Sequence, residues 1–197
     1  GLVSLYDPDR HEPLVDAAWD ASRAQEAISA IVADTEEALG DGITWPWHPL
    51  DDPGDAEAVP KSLYLGSAGV LWALWYLAKE GVVALRIDPT DLVVRVDRAY
   101  QEKPDTGDVV PSHFVGEGGI LLVLWRLSGS AEAADRLFDA IRRNIPNPTH
   151  EALWGAPGTM VGAHHMLDWT RERRWHDLFV ENADYLWRTW LASEHAP

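Results

Sequence analysis

The chain has 197 residues, enough to bury one sizeable core, and nothing in its composition calls for a second domain. Its 32 Asp and Glu against 16 Lys and Arg give a formal charge of −16, which argues against nucleic acid and anionic lipid as partners. There is no Cys, so disulfides, thiolate zinc sites and Cys nucleophiles are excluded by arithmetic.

The chain opens on Gly1-Leu2-Val3-Ser4 with neither a basic nor an apolar leader segment, so a cytoplasmic location is expected. In chain order, the first predicted element is an amphipathic helix with Leu14, Ala17, Ala18, Ala21, Ile28, Ile31, Val32, Thr35 and Leu39 on one face, ended by Gly40 and Gly42. Residues 43–61 then read as a long loop, rich in Pro, Gly and Asp, that carries Trp45-Pro46-Trp47-His48-Pro49.

Next comes a nearly uncharged helix over 70–78. The uncharged stretch around it, 62–78, contains two glycines and falls short of the roughly 18 to 20 apolar residues that span a bilayer, so no membrane segment is expected. A charged amphipathic helix follows, marked by Leu92, Val93, Val96, Ala99 and Tyr100 and started by Asp88-Pro89. The β-branched run 92–96 has strand propensity, but its neighbours favour helix. The alternation repeats twice. An uncharged helix over 120–125 precedes an amphipathic one through Ala134, Leu137, Phe138, Ile141 and Ile145, capped by Ser130 with Glu132 in its first turn. Another over 159–167 precedes one through Trp175, Leu178, Phe179, Asn182, Tyr185 and Leu186.

Each uncharged helix opens on two glycines three residues apart: Gly66 and Gly69, Gly116 and Gly119, Gly155 and Gly158. A helix apolar around most of its circumference must be enclosed by others, whereas an amphipathic one buries a single stripe. Three such pairs plus the first helix predict an all-α chain of seven helices, three inner and four outer, arranged as helical hairpins in a partial α/α toroid. Glycines at this spacing suit close backbone approach, a positive-φ turn or an anion-binding helix start. Pro157 at a first helical turn and the lack of Lys or Arg beside any copy favour packing and turn geometry.

The segments Tyr64-Leu65-Gly66-Ser67-Ala68-Gly69-Val70, His113-Phe114-Val115-Gly116-Glu117-Gly118-Gly119 and Trp154-Gly155-Ala156-Pro157-Gly158-Thr159 resemble the glycine motifs of the lanthionine synthetase C-like family. The resemblance covers roughly 62–190. It implies a toroid of two concentric helical rings whose glycine-rich inner-helix starts line a central cavity. It further implies zinc held by two Cys and one His, activating a substrate peptide's Cys thiol for addition to a dehydrated Ser or Thr; some relatives add glutathione instead.

The zinc ligands of the family come from later repeats, so the chain is expected to be an N-terminal half without a complete active site. Zinc is expected only if a further portion supplies Cys and His. The family's catalytic carboxylate lies about four residues before an early glycine turn. The matching place here is Ser112, beside His113, in the second repeat, and Glu151 in the third.

Four side chains are weak catalytic candidates. His113 and Glu117 flank the second turn and would form a general acid/base pair if both faced the cavity, against capping or packing roles. Glu151 precedes the third turn, where a carboxylate is also favourable on dipole grounds alone. His164 and His165 lie about 100° apart around one helix, so only one can face inward, and His164 is also placed to pair with Asp168 at i, i+4. Trp45, Trp47 and His48 form either an aromatic lip that contacts a peptide or a loop tucked onto the body. The expected partners are a peptide substrate or another protein, or a second copy joined through exposed inner helices. Two alternatives stand beside the family reading: a zinc-free repeat module that binds a peptide or partner, and a carbohydrate-active toroid using Glu117 and Glu151.

Overall fold

The computed structural model describes residues 16–40, 42–47 and 59–189. It is all-α, with seven helices and no strand among the described residues. They are α1 (Ala21–Glu37), α2 (Ser67–Lys79), α3 (Pro89–Glu102), α4 (Glu117–Ser128), α5 (Ala131–Asn144), α6 (Ala156–Thr170) and α7 (Arg173–Thr189). Helix α3 packs on α2 and α4, α5 on α4 and α6, and α7 on α6 and α5. The uncharged helices therefore form an inner layer and the amphipathic ones an outer layer. Helix α4, in the middle, is buried at every residue from Glu117 to Leu124. The outer helices each bury one stripe: Leu92, Val93, Val96 and Tyr100 on α3, Ala133, Leu137, Ala140 and Ile141 on α5, and Trp175, Leu178 and Asn182 on α7.

The predicted starts of α3 and α5 are realised by their caps. The Asp88 carboxylate accepts from Thr90 N–H, and Ser130 Oγ accepts from Ala133 N–H at 3.2 Å. Helix α1 differs from expectation. It begins at Ala21, because Asp20 accepts from the N–H groups of Ser22 and Arg23 and so fixes the first turn there. Ala17 and Ala18 precede the helix and are exposed, and Leu14 lies outside the described residues. Within α1 only Val32 is buried, while Ile31 is exposed. Helix α1 instead leans on the α2–α3 connection, where Gln25 Nε2 donates to the Val82 carbonyl at 2.6 Å. The buried Glu36 carboxylate accepts from Arg86 N–H and Ile87 N–H and pairs with the Arg86 guanidinium, which together hold its pKa below the usual carboxylate value against the opposing effect of burial.

The paired glycines have one steric cause, repeated three times. Before each inner helix the chain folds back over the first helical turn, so that the carbonyl oxygen six residues earlier rests on the glycine Cα. A Cβ on Gly66, Gly116 or Gly155 would come well within 3.0 Å of the carbonyl of Pro60, Val110 or Thr149. The second glycines, Gly69, Gly119 and Gly158, stand in the same relation to the carbonyls of Leu63, His113 and Ala152. The first glycines are extended, with φ of −135°, −125° and −92°, so a positive-φ turn is not their role. The close approach comes from the chain's own preceding loop more than from a neighbouring helix.

These loops stack edge to edge. Tyr64 N–H donates to Phe114 C=O at 2.9 Å, and Ser112 Oγ–H donates to Leu153 C=O. Further along the same helices, Trp72 in the middle of α2 stacks on Trp169 near the end of α6 at 5.9 Å between ring centroids, and Trp125 of α4 stacks on Trp169 at 5.7 Å. With their starts in one row, α2 and α6 both pack on α4.

Candidate functional site

The residue before the first glycine is large and apolar in every repeat: Leu65, Val115 and Trp154. The stacking of the loops brings all three to one cavity of about 290 Å³, which Trp47 and Pro104 also line. A second space of about 560 Å³ adjoins it at Trp47, Pro60 and Leu65 and extends past Trp45, Pro46 and Tyr64. Together they form an aromatic groove along the rim made by the glycine turns. Tyr64 is 66% exposed and Leu65 54%, well above the usual exposure of such side chains. At one wall, Lys61 Nζ meets Asp105 at 3.1 Å, and the same carboxylate accepts from the backbone N–H groups of Lys61 and Ser62. Asp105, on the α3–α4 connection, thereby pins the loop that carries Leu65.

Of the proposed aromatic lip, Trp45 is tucked: its indole N–H donates to the Thr35 carbonyl of α1 at 2.6 Å, while its ring borders the groove. Trp47 lines both spaces. His48 lies outside the described residues.

The four acid/base candidates are not brought together. Glu117, at the start of α4, is buried against the Arg143 guanidinium of α5 and accepts from Gln101 Nε2 of α3 at 3.3 Å. It clamps three helices, and His113 is not its partner. Arg143→Met would leave that carboxylate buried with only Gln101, and a loss of about 2 kcal/mol is expected by urea unfolding, below the cost for a pair buried on both sides because Arg143 is half exposed. An unchanged midpoint would show the pair to be energetically idle.

His113 is 3% exposed and packs edge-on against Phe114, with its Nδ1 close to Gly162 of α6. That Nδ1 is buried and has no hydrogen-bond partner among the described residues. Burial first, and then the nearby His165, push its pKa down to about 4, so at neutral pH it is an uncharged packing group. The Glu151 carboxylate accepts from Leu153 N–H at 2.6 Å and Trp154 N–H at 2.7 Å, capping its own loop two and three residues on. This capping acts on the turn that leads into α6.

His164 is exposed, lies 3.5 Å from Asp168, and faces Phe179 of α7, whereas His165 stacks on Trp169 at 5.0 Å. It is therefore His165, not His164, that turns toward the inner helices. These positions do not fit zinc. The sequence has no Cys, and among the described residues no three His, Asp or Glu side chains converge on a common point.

Sequence reasoning missed Asp105, Trp154, Tyr64 and Leu65 as rim residues. The signal for Leu65 and Trp154 was present in the repeats themselves, since both occupy the position before the first glycine. No described helix is long and apolar enough to cross a membrane. No protein-family model, curated protein or solved structure matches the chain.

Proposed function

We propose that the chain is a lanthionine synthetase C-like α/α repeat body whose glycine-turn rim holds an apolar peptide segment, and that it contributes binding, not zinc chemistry. The observation that carries this reading is the convergence of the three repeat-equivalent residues Leu65, Val115 and Trp154 on one cavity beside Trp47. Grooves walled by aromatic and proline side chains suit extended peptides, whose backbone stays solvated while alternate side chains enter the pockets. Glu117 and Glu151, the pair a sugar hydrolase would require, each hold a structural partner.

An acetylated and amidated peptide with a Leu-Pro-Phe core is a suitable probe, read by tryptophan emission. Saturable binding is expected, weakened about tenfold, or about 1.4 kcal/mol, by Leu65→Asp and by Trp47→Ala. Absence of saturation, or indifference to Leu65→Asp in a folded variant, would end the proposal. Stoichiometric zinc on the purified chain would overturn the division between binding and metal chemistry. Association of two copies through α2 and α6 is a second reading, favoured by the exposure of Tyr76 and Val161. A sedimentation coefficient independent of concentration would remove it.

A further inference from the structure

At the far ends of the inner helices from the glycine turns, the Arg126 guanidinium of α4 lies between two indoles, 4.4 Å from the Trp169 ring centroid and 5.5 Å from that of Trp75. Lys79 Nζ approaches the same Trp75 ring at 5.0 Å. The acids of this chain outnumber its bases two to one, and Arg86, Arg136, Arg143, Arg171, Arg173 and Arg174 each meet a carboxylate. Among the described residues neither Arg126 nor Lys79 does. Arg126 Nε is moreover buried with no acceptor among the described residues. The negative ends of the inner helices favour cations here, but a helix end does not occupy the in-plane N–H groups of a stacked guanidinium.

We propose that Arg126, clamped by Trp75 and Trp169 with Lys79 alongside, is a recognition site for a single carboxylate carried on a flat apolar body. A guanidinium fixed by stacking, with its Nε turned inward, still offers its two terminal NH2 groups for a two-pronged bond to a carboxylate. The indoles and the exposed Tyr76 supply faces for an aromatic or aliphatic group attached to it. The net charge of −16 selects against polyanions such as nucleic acid, whereas one carboxylate meets little long-range repulsion.

The test uses the full chain and phenylacetate, followed by the indole N–H resonances in NMR, with benzyl alcohol as the neutral isostere. Phenylacetate is expected to shift the resonances of Trp75 and Trp169 saturably and to bind about tenfold tighter than benzyl alcohol. Arg126→Lys, which keeps charge but not the planar fork, is expected to lose about tenfold in affinity. A further arm compares acetyl-Gly-Phe with its C-terminal amide. Tighter binding of the free-acid peptide than of phenylacetate identifies a chain terminus as the source, the reverse order identifies a small acid, and either supports the site. Equal binding of phenylacetate and benzyl alcohol by the unsubstituted protein would overturn it whether or not Arg126→Lys folds. So would phenyl phosphate binding more tightly than phenylacetate.

Discussion

Gly119→Ala is expected to lower stability by about 3 to 5 kcal/mol, a large part of what a domain of this size possesses. The new methyl would run into the His113 carbonyl and stand 2.6 Å from Leu63 Cβ in the neighbouring loop. Both obstacles are at or next to the backbone, so neither can swing away as the end of a flexible side chain would. Relief requires the second loop to lift from α4 or the first loop to separate from the second, and either movement opens the rim. Gly129→Ala is the control. That glycine has φ of 68° and nothing among the described residues within 4 Å of a new Cβ, so only left-handed backbone strain of about 1 to 2 kcal/mol is expected. Urea unfolding of the two variants should therefore separate widely. Similar midpoints would show that the loop yields easily and that the carbonyl contact is not what demands glycine.

Acidification from pH 7 to pH 4 is expected to remove about 3 kcal/mol of stability through His113 alone. The sign follows from where the proton binds. In the unfolded chain the imidazole takes its proton near pH 6.5, but in the fold burial among Phe114, Ile141 and Gly162, with His165 nearby, delays protonation to about pH 4. Between those values the unfolded state binds more protons than the folded one, so stability falls as pH falls. It is fully present above pH 6.5. His165, whose pKa is also lowered by burial and by His164, acts in the same direction. The measurement is a series of urea midpoints across this window for the unsubstituted chain and for His113→Leu. The variant should lose most of the slope between pH 6.5 and 4 and keep the carboxylate-driven loss below it. Identical slopes in the two proteins would refute the assignment.

The layering of the fold was legible because it rests on local signals. Uncharged runs after Gly-x-x-Gly mark the inner helices, Asp88 and Ser130 mark outer starts, and steps of three and four trace the outer stripes. The start of α1 was not, since alanines at 17, 18 and 21 keep the apolar period going and Asp20 interrupts it only by capping. The site was less legible, for a related reason. Glu117 finds Arg143 on the next helix, 26 residues away, and Trp72 of α2 finds its stacking partner Trp169 on α6, with α3, α4 and α5 between them in the chain. Such pairings depend on how far the layer curls, which no local period encodes. Likewise Lys61 and Asp105 are 44 residues apart and lie on two connections, where side-chain periodicity carries no information.

The carbonyl seated on each glycine also acts as a length gauge for the turn. Sliding the loop by one residue in the first repeat would move the Pro60 and Leu63 carbonyls from Gly66 and Gly69 onto Leu65 and Ala68 or onto Ser67 and Val70, all of which carry a Cβ. Two missing methyl groups per repeat thus key each inner helix to a single starting residue. Helices keyed alike keep their rims level even though the spacing between repeats changes from 50 residues to 39. Insertions in the outer connections are therefore absorbed without misaligning Leu65, Val115 and Trp154 along the groove.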